Sequence, residues 1–219
     1  LIGKALPYSV QLGSMAILIA LIGGVLLGTI AALRQNSVLD FGLMAFATVG
    51  VTVPNFVVGP VLTLVFAVIL SWLPAGGWGD GSLQFLILPI IALALPQLAV
   101  FARLTRGAMI EALHTDHIRT AKAYGLPSRV VVITHALRGA MLPVVSYLAP
   151  CAAALLTGSA VVESIFTIPG VGRYFVLGAL NRDYPLVMGT VILVAIFVIV
   201  FNLLVDIAYG LLDPRVRHD

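Results

Sequence analysis

The sequence predicts an all-α membrane protein, a polytopic bundle of helices that crosses a bilayer several times. Of its 219 residues, 61% are hydrophobic and 10% are charged. Soluble domains carry about 25% charged residues, so this chain has too little polar surface to cover a water-soluble globule. Its apolar residues fall in runs of about 20, the length that a membrane-spanning helix needs. Its basic residues collect in the joints between these runs, which is typical of spans joined by short loops.

Charge and cysteine usage exclude two other classes of protein. The net charge of +3 is not a nucleic-acid signal, because the basic residues lie between hydrophobic runs rather than on one surface. No nucleic-acid partner is expected. Cys151 is the single cysteine and lies inside a hydrophobic run, so the chain has no disulfide framework and this thiol is expected to pack as a small core residue.

Five spans are predicted within one transmembrane domain that covers the whole chain. They are residues 10–33, 41–70, 85–102, 142–162 and 186–204. In the first span, Gly24 and Gly28 form a small-xxx-small pair that lets another helix approach closely. In the second, Pro54, Asn55 and Pro60 predict either a packing kink or a bend that lines a pathway. The chain starts without Met and without a signal-peptide pattern, so a sixth, N-terminal span is expected ahead of it.

The segments between the predicted spans differ in their content of basic residues. Residues 34–37 form a short polar loop, and residues 71–84 hold two Trp and four Gly without a basic residue, which fits a loop on the opposite side of the membrane. Residues 103–141 form the central charged stretch, and residues 163–185 form a second polar connection.

The distribution of Lys and Arg predicts the orientation. Nine basic residues fall on one side: Arg34, Arg103, Arg106, Arg119, Lys122, Arg129, Arg138, Arg215 and Arg217. Only Lys4, Arg173 and Arg182 fall on the other. The central stretch and the C-terminus are therefore expected in the cytoplasm, with Leu1 outside. Asp206, near the cytoplasmic end of the last span, is expected to pair with an Arg.

The central charged stretch predicts a short helix held between two turns. Asp116 can cap a helix from about His117 to Tyr124, and Gly125 suits the residue after its end. Ser128 can cap a second cytoplasmic helix that ends at about Arg138, with Pro143 at the entry to the fourth span. The first helix carries small residues beside basic ones, a surface that suits docking into a groove of a separate subunit.

Motifs for chemistry within this chain are absent. The sequence has no G-x-x-x-x-G-K-[ST], so no ATP site of the P-loop type, and no H-E-x-x-H or G-x-S-x-G. His114 and His117 could ligate a metal in principle, but two histidines without further ligands are better explained as solvated helix residues. No catalytic residue and no metal site is predicted.

Several motifs in order resemble the permeases of bacterial ABC importers, in the dipeptide and oligopeptide branch. They include Arg-Thr-Ala-Lys-Ala-Tyr-Gly (119–125), His-Ala-Leu-Arg (135–138), Ile-Pro-Gly-Val-Gly (168–172) and Leu-Leu-Asp-Pro-Arg (211–215). The general permease signature begins Glu-Ala-Ala, where this chain has Arg119, Thr120 and Ala121, and it places its Leu-Pro closer to the glycine than Leu142 and Pro143 lie to Gly125. Contacts are therefore carried over from the peptide branch only.

The resemblance implies a subunit of a multi-pass importer in the bacterial inner membrane. Its partners would be a second permease, two ATPases that bind ATP and Mg, and an extracytoplasmic binding protein that delivers peptide; this chain itself would hold no cofactor. Contact with the ATPase is expected from ten residues: Glu111, Asp116, His117, Arg119, Thr120, Ala121, Lys122, Ala123, Tyr124 and Gly125. Pro54, Asn55 and Glu163 are candidates for the substrate path.

Three alternatives stay open at this point. Nickel, glutathione or another non-peptide substrate would use the same permease architecture. A self-contained secondary transporter would need acidic or histidine relays in mid-span and an inverted repeat, which the sequence does not show. An intramembrane enzyme would need a nucleophile with a base, or a metal site.

Overall fold

A computed structural model describes residues 1–157 and 159–212, without the side chains of residues 206 and 208–212. Every regular element in these residues is helical, so the predicted all-α class is confirmed. Four stretches of helix are long and apolar enough to cross a membrane, and one bent pair makes a fifth. The pairing predicted for Asp206, and the basic residues Arg215 and Arg217, lie outside the described part.

Ten α-helices are described: α1 (Ile2–Leu33), α2 (Val38–Thr52), α3 (Asn55–Leu62), α4 (Leu83–Leu113), α5 (Asp116–Ala123), α6 (Ser128–Val130), α7 (Leu137–Leu156), α8 (Ala160–Ile165), α9 (Val171–Leu180) and α10 (Tyr184–Leu212). A wider π-helical turn continues α3 as Thr63–Ile69, and another joins α6 to α7 as Val131–Ala136. A 3₁₀ turn, Gly79–Gly81, lies in the predicted Trp- and Gly-rich loop.

Helices α1 and α4 form the centre of the bundle, and glycines allow their close contact. A Cβ atom at Gly24 would meet the side chain and backbone of α4 around Phe101, and one at Gly28 would meet Ala102 and Thr105. Both glycines are buried. The small-xxx-small pair therefore acts as predicted. Helix α1 itself starts at Ile2, earlier than the predicted residue 10, with Pro7 in its interior.

The second predicted span is two helices rather than one kinked helix. Helices α2 and α3 meet at an angle of 103°. Val53 has an extended backbone conformation, because the residue before a proline is held out of the helical region. Pro54 is also extended and is the N-cap of α3. The prolines predicted the position of this break, but they did not predict an angle as large as 103°.

The central charged stretch is mostly helix continuous with the spans, which corrects its predicted bounds. Helix α4 does not end at Ala102 but runs on to Leu113. The helix that begins at Ser128 does not end at Arg138, because helical backbone continues through Pro143 to Leu156. Most charged residues of these extensions are exposed, and Arg106 is paired with Asp40, so charge density alone did not indicate where the helices end.

The fourth span and the second polar connection also differ from their predicted bounds. Helix α7 ends at Leu156 rather than near residue 162, and the short helix α8 follows. Residues 163–185 are not a loop, since they hold the end of α8 and the whole of α9. Large side chains from these elements and α4, including Phe101 and Phe166, form the main apolar core.

Candidate functional site

Helix α5 is bounded by two well-defined ends. Thr115, not Asp116, is its N-cap, with extended backbone and no side-chain cap bond; Asp116 is the first helical residue, where its charge favours the helix dipole. At the other end Gly125 has φ of +75°, its N–H donates to the carbonyl of Lys122, and the next N–H donates to that of Ala121. This pair of bonds is a Schellman motif, and it confirms Gly125 as the residue that ends the helix.

The two faces of α5 have different roles. Ile118 and Ala121 are buried against Met109 of α4 and Val131 of the following helix. Seven of the predicted contact residues are exposed: Asp116, His117, Arg119, Thr120, Lys122, Ala123 and Tyr124. Tyr124 is 82% exposed, which is unusual for an aromatic side chain on a folded surface. Ala121 is one of the residues expected on the contact surface, and this expectation is wrong: its small side chain is buried and allows α5 to pack on the bundle.

The two remaining residues of the predicted contact set are also exposed. Glu111 lies on the last turns of α4, and Gly125 has no heavy atom within 4 Å of the position its Cβ would take. Both adjoin α5, so the nine exposed residues form one surface, called the α5 surface below. Their contact with an ATPase stays a prediction.

A groove of about 600 Å³ lies beside the α5 surface. Its lining includes apolar side chains from the ends of α1 and α4, such as Leu33 and Leu113, and the polar side chains of His114, Arg119 and Lys122. A lining that combines apolar and basic groups favours a partner segment that is itself amphipathic with acidic residues.

The charged groups of α5 remain available to a partner. Arg119 Nη1 donates to Asp116 Oδ1 at 3.3 Å, but their side chains are 74% and 94% exposed. An exposed pair of this kind contributes little to stability. His114 Nδ1 lies 2.7 Å from the carbonyl oxygen of Ile110, within its own helix. Among the residues that the structure describes, no three His, Cys, Asp or Glu side chains cluster as metal ligands would.

A bidentate ion pair joins α2 to α4 at the α5 end of the bundle. Arg106 Nε and Nη2 donate to the two oxygens of Asp40 at 2.6 and 2.7 Å. The backbone N–H of Asn36 donates to the same carboxylate at 2.9 Å. Asp40 is 1% exposed. No motif in the sequence predicted this pair, although opposite charges near the ends of successive apolar runs were a signal for it.

Glu163 lies at the opposite end of the bundle and is fully buried. Ser9 Oγ donates to its Oε1 at 2.7 Å, and the backbone N–H of Arg173 donates to its Oε2 at 3.0 Å. Ser9 Oγ in turn accepts from the N–H of Val171 at 2.8 Å. These bonds tie α1, α8 and α9 together, so in this conformation Glu163 contacts structural partners rather than an open path. Its role in the substrate path stays a prediction.

Pro54 and Asn55 lie at the 103° break between α2 and α3. Pro54 is exposed and Asn55 is partly buried. The break places irregular backbone inside an apolar stretch, which membrane proteins tolerate where the backbone is covered by protein or lines a cavity. Their position therefore fits the predicted bend, and their contact with substrate stays a prediction.

Comparison with known proteins gives consistent matches over nearly the whole chain. The family described as "Binding-protein-dependent transport system inner membrane component" matches residues 24–218. The Oligopeptide transport system permease protein OppB of Salmonella typhimurium is 51% identical over 218 residues, which cover 100% of this chain and 71% of that protein. The Dipeptide transport system permease protein DppB of Bacillus subtilis is 47% identical over 214 residues, which cover 98% and 69%.

Two solved structures share the fold at low sequence identity. One shows inward-facing conformations of the MetNI methionine ABC transporter, with a TM-score of 0.78, 16% identity, and coverage of 97% of this chain and 96% of that one. The other is an amino acid ABC transporter, with a TM-score of 0.69, 15% identity, and coverage of 93% and 90%. With the family match, these findings show that the chain belongs to the inner membrane components of binding-protein-dependent transport systems.

Proposed function

We propose that this chain is a permease subunit of an ATP-driven importer and forms part of the path by which oligopeptides cross the membrane. The observation that carries the proposal is the identity of about half of all residues, over the full chain, with proteins named as oligopeptide permeases. The exposed α5 surface supports it, because a permease without an ATP site needs a surface on which an ATPase can act.

The proposed partners are inferred from two features of the chain, the absence of a P-loop motif and the exposed α5 surface. It carries no P-loop motif, so ATP and Mg would be bound by two ATPase subunits that contact the α5 surface. A second permease would complete the path, and a binding protein would deliver peptide at the Glu163 end. The α5 end and the C-terminus would lie in the cytoplasm of a bacterial cell, because that end carries the larger number of basic residues.

The packing of α5 suggests how force would reach the spans. Ile118 contacts α4 through Met109 and the next helix through Val131, all of them nearly inaccessible to solvent. Packed interiors resist compression, so a displacement of α5 by the ATPase would move both helices with it. The Asp40–Arg106 pair would then transmit the motion of α4 to α2 and to the break at Pro54. Alternation between outward-open and inward-open states would follow.

ATP-dependent uptake of peptide into proteoliposomes that hold the full complex tests this proposal. Gly125→Pro should abolish uptake while the complex still assembles, because proline cannot adopt φ of +75° and removes the N–H that closes the Schellman motif. Gly125→Asn is the matched control, since asparagine tolerates the left-handed conformation and keeps its N–H. Unchanged uptake in Gly125→Pro would refute the lever role of α5, and absence of peptide uptake by the wild type would refute the substrate.

A further inference from the structure

One side of the bundle differs in chemistry from the outward side of α1. We call it the α4–α7 face and define it by Pro96, Val100, Arg103 and Gly107 of α4 with Gly139, Pro143, Ser146 and Pro150 of α7. In both helices the residues follow spacings of four, three and four, which places each set on one side of its helix. All eight are exposed or partly exposed.

Neighbouring contacts show that the two sets point the same way. Helix α4 packs on α1 through Leu98 and Ala102, on the other side from Pro96 and Val100. Helices α4 and α7 meet through Gln97 and Tyr147. Helix α7 packs on α1 through Leu155 and Leu156, which meet Gly13, on the other side of α7 from Gly139 and Ser146. The exposed sets of both helices therefore fall on the side away from α1. They form one continuous surface.

The α4–α7 face is unsuited to lipid. The outward side of α1 exposes Leu18, Ile22, Leu26 and Ile30, which is the composition expected against hydrocarbon. The α4–α7 face instead carries a serine, an arginine, two glycines and three prolines. A proline has no N–H for the carbonyl one turn earlier, and membrane helices tolerate this where protein or cavity water satisfies the freed oxygen. Such a surface fits a water-filled path.

The face opens toward the α5 end and is closed at the other. On the same side of α4, Leu86 and Leu93 are nearly inaccessible, whereas Arg103 and Gly107 are exposed. Gly59 of α3 lies against Ile165 and Phe166, which closes the bundle beyond Leu93. Among the described residues, the face is thus exposed toward the α5 end and covered by protein toward the other end, the arrangement that an inward-open path requires.

A polar pair lies at the edge of this face, close to the midpoint of α4. Tyr147 Oη donates to Gln97 Oε1 at 2.7 Å, and the Tyr147 ring packs edge-on against Phe101 with centroids 5.3 Å apart. Both members of the pair are partly exposed. The amide nitrogen of Gln97 makes no hydrogen bond to any described residue. Two N–H donors without a partner in mid-span would be costly in hydrocarbon, so they need water, a partner subunit or a ligand.

We infer that the α4–α7 face lines the translocation path and that the amide of Gln97, oriented by Tyr147, binds main-chain amide groups of the passing peptide. An amide side chain can donate to a peptide carbonyl, as the main chain of a protein does. Peptides of different sequence share only their main chain, so recognition of this kind suits a permease that must pass many of them. The inference rests on the proposed function for its ligand, but the placement of the face does not.

Thiol labelling of the assembled complex in nanodiscs tests the placement. In a Cys151→Ala background, Val100→Cys and Ser146→Cys should react with a membrane-impermeant maleimide at least about tenfold faster than Leu26→Cys, because the reactive thiolate forms in water and not in lipid. Leu26 is the control, since it is 57% exposed on the apolar side of α1. Equal, slow labelling at all three positions would overturn the placement, since the face would then be covered by lipid or by a partner.

Peptide uptake at varied peptide concentration tests whether the Gln97–Tyr147 pair binds peptide. Gln97→Leu and Tyr147→Phe should each raise the KM for penta-alanine about threefold to tenfold, the effect of losing one hydrogen bond to the ligand. Ser14→Ala on α1, whose hydroxyl bonds only its own helix, is the control and should leave KM unchanged. An unchanged KM in both pair variants would overturn peptide binding by Gln97. Failure of the wild type to take up any peptide would refute the proposed function, and the labelling would still report on the face.

Discussion

Replacing Asp40 by leucine should destabilise the bundle, and the structure gives the size of the effect. The carboxylate is 1% exposed and accepts two hydrogen bonds from Arg106 and one from Asn36. Removing one member of a fully buried ion pair costs about 3–5 kcal/mol because the other charge is left without a partner. The Arg106 side chain is 26% exposed and recovers part of its hydration, so the loss in Asp40→Leu should be about 2–3 kcal/mol.

The double variant Asp40→Leu with Arg106→Met should recover most of that loss. Apolar replacement of both partners of a buried pair is often neutral or stabilising, so stability should return to within about 1 kcal/mol of the wild type. Transport should not return with it if the ion pair also carries motion from α4 to α2. This separation of stability from transport distinguishes a transmitting contact from one that only holds two helices together.

The free energy of unfolding can be measured by titration with SDS in mixed micelles, and transport by uptake into proteoliposomes. Arg119→Met is the matched control, because it breaks an exposed ion pair and should not change stability measurably. If the double variant is as unstable as Asp40→Leu alone, the loss comes from poor packing of leucine rather than from the unpaired charge. The electrostatic reasoning would then be refuted.

Two further substitutions test the packing described above. Gly28→Ala should destabilise the bundle by about 1–3 kcal/mol, because its Cβ would lie 2.7 Å from that of Thr105, whereas Gly3→Ala, with open space around it, should not; thermal unfolding would show the difference. Ala121→Asp should release α5 from the bundle and expose residues 115–125 to limited proteolysis, whereas Ala123→Asp, on the exposed face, should leave the cleavage pattern unchanged. Equal behaviour within either pair would contradict the assigned faces.

Local sequence was sufficient wherever a feature depends on neighbouring residues. Apolar runs of sufficient length predicted the membrane spans, since the cost of exposing backbone to lipid leaves helices as the solution for such runs. Gly125 predicted the end of α5 through its backbone freedom, and Gly24 with Gly28 predicted a close helix contact through the absence of a side chain. Motif order placed the chain in its family.

Helix bounds predicted from charge are less accurate, because a charged residue does not by itself end a helix. Helix α4 carries Arg103 and Arg106 without interruption, since one arginine is exposed and the other is paired with Asp40. Whether a charged residue ends a helix depends on what lies beside it in three dimensions. The composition of a single run does not contain that information.

The sequence by itself determined that this chain is a helical membrane protein of a transport family, with a short helix between two of its spans. The tertiary structure decided which residues face inward: it buried Ala121 and Glu163, paired Asp40 with Arg106 across 66 positions, and brought Gln97 to Tyr147. The physical reason is the distance along the chain over which each effect acts. Propensity and hydropathy act over one or two helical turns, whereas a contact between distant side chains exists only once the helices have packed.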